Sequence, residues 1–317
     1  MTSRTDASQG LVGAGLIVLA AVCYGTLGPL SRYAEDAGVD PLGLVTWRAG
    51  LGAVVVAVFI GVRLMAGLTR PVRLRDVPVR DRWFMAGAAV ANTILNLSVF
   101  VAFTRISIAL ALLVFYLYPA MVAVVSVIWF GERLDRLRWG ALAVSLSGLV
   151  LVLAGDRAGV GALDALGIGL AFVGGLGQVF YVLAARHGFG HVPGPQAAAL
   201  TMGGAMTIYL VIALLTGSLA TLAAPLASVN ALWPVVVAGV IGAGIPTVAY
   251  IAGIRLLGPS RAVILATLEP VVGVLLAALL LAEQPTPIQL VGGALILVAA
   301  VLLQLRSGPA GEHEAVG

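Results

Sequence analysis

Two stretches decide the fold, LYPAMVAVVSVIWFGE at 117–132 and LEPVVGVLLAALLLAE at 268–283. Each has a proline at its third position and a glutamate at its last, and is otherwise almost wholly apolar. A run of this length comes close to crossing the roughly 30 Å of bilayer hydrocarbon, where backbone groups must bond within their own segment. Both are therefore predicted to be membrane helices, and their similarity indicates an internal repeat.

The composition of the whole chain agrees with a membrane environment. The 317 residues are 61% hydrophobic and only 10% charged, and the mean hydropathy is +1.08. Soluble domains are about half apolar and a quarter charged. An all-α integral membrane protein of ten transmembrane helices is predicted, with spans at 11–31, 42–66, 83–104, 107–131, 137–155, 162–186, 196–216, 232–255, 259–282 and 287–305.

The repeat divides these ten spans into two sets of five, at residues 1–155 and 156–317. The same offset, within one residue, pairs Gly25 of the first span with Gly177 of the sixth. Because five is odd, the second set must cross the membrane in the opposite direction, so the halves are inverted repeats within one transport domain. Such repeats are typical of secondary transporters, whose substrate site lies between them near the membrane centre.

The basic residues predict the orientation. All of them are arginines, and they lie mostly in short polar gaps, which indicates topology signals rather than a nucleic-acid surface. One side carries Arg4, Arg63, Arg70, Arg73, Arg75, Arg80, Arg82, Arg133, Arg136, Arg138, Arg186, Arg255, Arg261 and Arg306. The other side carries only Arg32, Arg105 and Arg157. Both termini are therefore predicted to be cytoplasmic, in a multi-pass protein of the plasma membrane.

Several of these segments together resemble a known family. They are YGTLGPLSRYA at 24–34, the arginine within the second span, the paired proline-to-glutamate segments, and the glycine-containing stretches GALAVSLSGLVLVLA at 140–154 and GGALILVAAVLLQL at 292–305. The chain is similar to the EamA-type transporters of the drug/metabolite transporter superfamily. The resemblance implies a ten-helix carrier with a central cavity, of the kind relatives use to export or exchange small metabolites.

Two prolines interrupt the repeated helices. Pro119 and Pro270 each remove a backbone donor and free the carbonyl four residues earlier, at Phe115 and Ala266. Such breaks are tolerated where they face protein or a water-filled cavity. They are predicted to be hinges or cavity walls, with a static kink that only improves packing as the alternative.

Two ionisable side chains are predicted within the membrane. Glu269 is interpreted as a protonatable coupling site or a partner for a substrate amine, the alternative being a structural carboxylate. Its counterpart in the first half is Tyr118. Arg48 is predicted to bind an anionic substrate group or to pair with Glu269, and a snorkelling arginine is equally consistent with its position.

Two glutamates end the repeated segments. A carboxylate at a helix C-terminus opposes the helix dipole. Glu132 and Glu283 are therefore predicted to be structural caps that bind the first amides of the helix that follows each.

Other polar and aromatic side chains occur at positions where apolar ones would suffice. Asn92 and Asn96 are four residues apart and are expected to share one inward face. A cavity lining is predicted, with hydrogen bonds between helices or an interfacial aromatic belt as alternatives. The predicted lining comprises Tyr24, Arg48, Asn92, Asn96, Tyr116, Tyr118, Gln178, Tyr181, Tyr250, Thr267 and Glu269.

The function favoured by these patterns is secondary transport of a small polar or zwitterionic solute, such as an amino acid, by alternating access. A proton is the expected coupling ion, and no cofactor or metal is expected. A passive facilitator or channel, and a structural or sensory module, are alternatives. An intramembrane enzyme is disfavoured because His187, His191 and His313 lie in loops or the tail and complete no metal site or nucleophile–base pair.

Overall fold

The computed structural model describes residues 2–130, 136–155, 164–258, 262 and 265–305. Over these ranges the chain forms ten long helices, two 3-10 helices at Leu74–Asp76 and Leu219–Ala227, and no strand, which confirms the predicted all-α fold. Three helices consist of consecutive segments. The bounds are α1, Thr2–Gly25 and Leu27–Asp36; α2, Pro41–Met65; α3, Val79–Arg105; α4, Ile108–Phe115 and Tyr118–Phe130; α5, Arg136–Gly155; α6, Ala165–Gly188; α7, Gly194–Leu215; α8, Val229–Gly239, Val240–Gly244 and Ile245–Leu257; α9, Leu268–Leu281; and α10, Pro287–Leu305.

Length and hydropathy indicate a membrane environment for the helices. Seven helical stretches among the described residues are long and apolar enough to cross a bilayer, and three shorter apolar helices lie in α5, α9 and α10. Large apolar side chains such as Val62, Leu215 and Leu279 project from the bundle surface. In lipid, such exposure costs nothing, so the protein is a multi-pass membrane protein.

Short polar residues set several helix starts. Asp40 accepts a hydrogen bond from the Gly43 amide at 2.6 Å at the start of α2. Ser107 accepts one from Leu110 at 3.2 Å at the start of α4. These side chains satisfy amides that have no partner within the helix. They permit tight connections, such as the turn at Ile106 and Ser107 between α3 and α4.

The fourth helix is broken rather than continuous. Its first segment ends at Phe115 and its second begins at Tyr118. Pro119 has no N–H to donate to the Phe115 carbonyl, so the regular bonding pattern cannot cross this point. Ahead of α9, the helical residues 265–266 are followed by a turn at Thr267, and α9, which contains Pro270, begins directly after it. The repeat therefore places a break at the same position in both helices.

A further break, in α8, was not predicted. The predicted span at 232–255 contains a π-helical segment, Val240–Gly244, followed directly by Ile245 and Pro246. Pro246 cannot donate to the carbonyl of Gly242, four residues earlier. That carbonyl is thus left available to a side chain from another helix.

Helix packing follows the two-fold relationship of the halves. The most extensive contacts are α3 with α6, α5 with α10, α1 with α8 and α2 with α7. Replacing each helix by its counterpart five positions along the chain converts the α3–α6 pair into the α8–α1 pair. The same operation returns α2–α7 and α5–α10 to themselves. This pattern is what inverted five-helix repeats require.

The first segment of α4 lies at the centre of the bundle. Every residue from Ile108 to Val114 is buried. We call the side of the bundle at which α3 ends and α4 begins the Ser107 side. The opposite side, at which α6 ends and α7 begins, is the Phe189 side.

Candidate functional site

A cavity of about 470 Å³ lies between the two halves. All eleven side chains predicted to line a cavity contact it, from Tyr24 of α1 to Glu269 of α9. Of the two prolines predicted as hinges, Pro119 lines the cavity, whereas Pro270 is buried in protein and is not part of the lining. The breaks in α4, α8 and α9 all flank this space.

Arg48 points into the bundle. Its Nη1 donates to Asn96 Oδ1 at 2.6 Å, and its Nη2 donates to the Gly242 carbonyl at 3.2 Å. The guanidinium lies 5.6 Å from the centre of the Phe100 ring, within range of a cation–π interaction. Arg48 therefore does not snorkel to the interface, and the carbonyl freed by Pro246 is one of its anchors.

One nitrogen of the Arg48 guanidinium has no hydrogen-bond partner in the part of the chain that the structure describes. Its Nε is buried and has no hydrogen-bond partner among the described residues. Burying a polar group without a partner costs free energy, more so on a charged side chain. An anion at the cavity wall would remove that cost, so the geometry suits a ligand carboxylate or phosphate.

Two asparagines hold Arg48 in place. The Asn96 amide Nδ2 donates to the backbone carbonyl and to the side-chain Oδ1 of Asn92, both at 2.8 Å. The two side chains share one face of α3, and that face is directed at the cavity. Because Nδ2 is engaged by Asn92, the Oδ1 of Asn96 is oriented towards Arg48.

Glu269 lies in the first turn of α9, directly after the break at Thr267. A carboxylate is favoured there because the N-terminus of a helix segment carries partial positive charge. Tyr116 hydrogen-bonds to Glu269, and Arg48 interacts with it electrostatically. Arg48 and Glu269 do not form an ion pair, because no charged atoms of the two side chains lie within 4.0 Å of each other in the described part of the chain. The alternative in which Arg48 pairs directly with Glu269 is therefore not the arrangement observed.

Aromatic rings form the wall next to Glu269. The ring of Phe115 lies 5.5 Å from those of Tyr116 and Tyr118, and the two tyrosine rings are 5.8 Å apart. These three residues surround the break in α4. The broken helix thus contributes aromatic surface and the hydroxyl groups of two tyrosines to the acidic end of the cavity.

The sequence interpretation missed several lining residues. Thr247 Oγ1 lies 3.0 Å from the Tyr24 hydroxyl, and Phe100 and Tyr209 also line the cavity. Thr247 could have been found, because the repeat offset that relates Pro119 to Pro270 also relates Asn96 to Thr247. Phe100 is an apolar residue in an apolar helix and gives no such signal.

The prediction for Glu283 was wrong about its partner. Its carboxylate accepts hydrogen bonds from the amides of Ile108 at 2.9 Å and Ala109 at 3.2 Å. It thus caps α4, a helix of the other half, rather than the α10 helix that follows it. Glu132, predicted as the matching cap, lies outside the described residues.

Several contacts join the helices on the Ser107 side of the bundle. On the Ser107 side Arg32 donates to the Ile106 carbonyl at 3.1 Å, and Gly28 packs against Ile108. Together with the Glu283 cap, these contacts join α1, α4 and α9 on that side. On the opposite side the lining continues as far as Phe189 and Gly194.

Comparison with known proteins identifies the family. The model of the EamA-like transporter family matches residues 11–154 and again residues 165–305. The chain belongs to the EamA-like transporter family. As a member, it belongs to the drug/metabolite transporter superfamily, and it is a membrane transporter.

Two relatives accompany this match. An uncharacterized transporter of Archaeoglobus fulgidus is 30% identical over 295 residues, which cover 93% of this chain and 96% of the relative. A solved structure, titled only as the crystal structure of a protein, superposes with a TM-score of 0.61 at 21% identity, over 93% of this chain and 96% of that one. At this identity the superposition shows a shared fold.

The charged groups elsewhere in this EamA-like transporter are dispersed. No group of three or more His, Cys, Asp or Glu side chains is placed to hold a metal ion in the described part of the chain. His191 Nδ1 lies 2.7 Å from Asp81 Oδ2, which links the connection after α6 to the start of α3. The cavity is thus the place where polar groups of several helices converge.

Proposed function

We propose that this transporter moves an amino acid, or a similar zwitterionic solute, across the cytoplasmic membrane by alternating access. The observation that carries the proposal is the presence of Arg48 and Glu269 on one cavity without a direct ion pair between them. A zwitterion presents one anionic and one cationic group, and each would meet a side chain of opposite charge. The unpartnered Nε of Arg48 supports the anionic half of this assignment.

The cationic half rests on Glu269 and the rings around it. A substrate ammonium there would meet the carboxylate and the faces of Tyr116 and Tyr118, which favour a cation. A carboxylate within the membrane costs roughly 2.5–3.5 kcal/mol on insertion scales, so a functional role is expected for it. In the absence of substrate, a proton is the simplest counter-charge, and exchange of a proton for substrate would couple the two.

Alternating access is supported by the positions of the breaks. The interruptions in α4 and α9 lie at equivalent positions of the inverted repeats, next to Pro119 and Pro270. Motion at both breaks would close one end of the cavity as the other opens. We take the transporter to be an exporter or exchanger. The titratable Glu269 supports a coupled carrier over a passive facilitator, which would need no titratable group in the cavity.

The test is transport by purified protein in liposomes, with labelled amino acids, sugars and nucleosides, with and without a pH gradient. Wild type is compared with Glu269→Gln, and with Glu35→Gln as a control that removes a carboxylate outside the cavity lining. Amino-acid transport that follows the gradient in wild type and the control, but not in Glu269→Gln, supports the proposal. If the transport rate depends neither on the pH gradient nor on Glu269, the protein is a facilitator. Transport of sugars or nucleosides without amino acids would refute the proposed substrate class.

The proposed orientation, with both termini cytoplasmic, is tested by cysteine labelling. The only native cysteine, Cys23, is buried. An impermeant thiol reagent added to intact cells should label Ser218→Cys, between α7 and α8, and not Ala66→Cys, after α2. The opposite labelling pattern would reverse the orientation.

A further inference from the structure

A second cavity, of about 360 Å³, lies between α2, α7 and α8 on the Phe189 side. Most of its lining is apolar, and two arginines lie at its rim. The lining residues are Phe59, Ile60, Arg63, Thr69, Pro71, Pro193, Pro195, Gln196, Val248, Ile251, Ala252, Arg255 and Leu256. No carboxylate is among them, so the pocket carries positive charge that its own lining does not neutralise.

The two arginines lie at the same level of the bundle. Arg63 is two residues from the end of α2 at Met65, and Arg255 is two residues from the end of α8 at Leu257. Both helices end on the Phe189 side. A side chain so close to the end of a membrane-spanning helix lies at the boundary between hydrocarbon and headgroups, which is where lipid phosphates are found.

Neither arginine is neutralised by the protein. Arg63 donates to the Leu68 carbonyl at 3.3 Å and lies 5.7 Å from the Phe59 ring centre. Arg255 is exposed and makes no hydrogen bond or ion pair with any other residue that the structure describes. Both guanidinium groups keep N–H donors for an anion.

Hydrogen bonds hold the wall of the pocket that α7 and the connection after α2 form. Gln196, in the first turn of α7, accepts from the Val72 amide at 2.9 Å and donates back to the Val72 carbonyl. This pair of bonds holds the connection after α2 against α7. The same turn of α7 borders the pocket, and the N-terminus of a helix adds partial positive charge there.

We propose that this pocket binds the phosphate of an anionic phospholipid between Arg63 and Arg255. The apolar surface of Phe59, Ile60 and Val248 lies beside the arginines and suits the acyl chains of the same molecule. A free phosphate ion would not use that surface. Basic pockets between transmembrane helices are places where anionic headgroups bind, as this charge and shape require.

The proposed site is separate from substrate binding. Only Ile251 borders both this pocket and the central cavity. Arg63 and Arg255 do not reach the central cavity, so lipid binding can be measured without a transported substrate and does not depend on the proposed function.

The experiment is native mass spectrometry of the purified protein, equilibrated with equal amounts of phosphatidylglycerol and phosphatidylcholine in detergent. Wild type is compared with Arg63→Gln, Arg255→Gln and the double variant. Arg80→Gln, whose guanidinium lies 5.4 Å from the Phe84 ring centre outside this pocket, is the matched control for loss of one charge. A parallel sample contains the same two lipids together with an excess of inorganic phosphate.

Wild type and Arg80→Gln should retain phosphatidylglycerol in preference to phosphatidylcholine. Each pocket variant should retain about fivefold less, from the contribution of one arginine near anionic lipid. The proposal would be overturned if the double variant retained as much phosphatidylglycerol as wild type, or if wild type showed no preference between the two lipids. Inorganic phosphate that competes fully with phosphatidylglycerol would also overturn it, in favour of an anion site. Should Arg63→Gln not fold, Arg255→Gln decides, because that side chain is exposed.

Discussion

Glu283, just after the end of α9, accepts a hydrogen bond from the amide of Ile108 at the start of α4. The bond joins the last part of one half of the molecule to the middle of the other. It lies at the Ser107 side of the bundle. The carboxylate also faces the positive end of the α4 dipole, so charge and hydrogen bonding act in the same direction.

Loss of this cap should destabilise the protein. Glu283→Ala is expected to lower the free energy of unfolding by about 1 kcal/mol, the usual contribution of a capping side chain. Glu283→Gln should lose less, because an amide oxygen still accepts a hydrogen bond. Thermal unfolding in detergent measures both, with Glu35→Ala as the control at a carboxylate that bonds Arg32 instead. Equal unfolding temperatures for Glu283→Ala and wild type would show that the cap contributes nothing.

The contact between α5 and α10 depends on two glycines. A Cβ on Gly148 would lie 2.6 Å from the carbonyl oxygen of Gly292, a backbone atom that cannot rotate away. Gly148→Ala should therefore separate the helices and cost about 1–3 kcal/mol, as overpacking does. Gly140→Ala, in the same helix but with nothing within 4 Å of the added Cβ, should be neutral or stabilising. Equal unfolding temperatures for the two variants would refute this close contact.

Stability should depend on Asp164 in acid. The Gly167 amide and the guanidinium of Arg105, 2.9 Å from the carboxylate, hold the pKa of Asp164 below its ordinary value of 3.8. A lowered pKa in the folded state means that the contribution is complete above the ordinary value and is lost as the pH falls through the folded one. Asp164→Asn should thus show a smaller loss of unfolding temperature than wild type as the pH falls below 3.8. Parallel pH profiles for the two proteins would contradict this.

The sequence predicted the cavity residues better than their partners. Arg48, Asn96 and Glu269 could be identified because a polar side chain in a membrane helix is costly and needs a reason. The acceptor of Arg48, the Gly242 carbonyl, could not, because its availability depends on Pro246 and on the register of α2 against α8. The error at Glu283 has the same origin. The sequence predicted that Glu283 lies at a helix end. It could not predict which helix begins next to Glu283, because packing between the two halves decides that.

Replacing Arg48 distinguishes substrate binding from a structural pair. Arg48→Gln should abolish amino-acid transport in liposomes while the protein stays folded, because the lost group is the proposed anion partner. Adding Glu269→Gln should not restore transport, since the two residues form no direct ion pair. Arg48→Lys keeps the charge but loses the fork that bonds Asn96 and Gly242 together, so only partial activity is expected. Rescue of Arg48→Gln by Glu269→Gln would refute separate roles for the two residues.

The break in α4 should matter for rate more than for stability. Pro119→Ala supplies an N–H that can bond the Phe115 carbonyl, which would make the helix continuous and the break harder to bend. The maximal transport rate is expected to fall severalfold, with an unfolding temperature equal to or above that of wild type. Pro41→Ala is the control, because a proline at the first position of a helix replaces an amide that has no partner within the helix. A Pro119→Ala variant that transports at the wild-type rate would make the break a static kink, and the motion proposed at Pro119 and Pro270 would have to lie elsewhere.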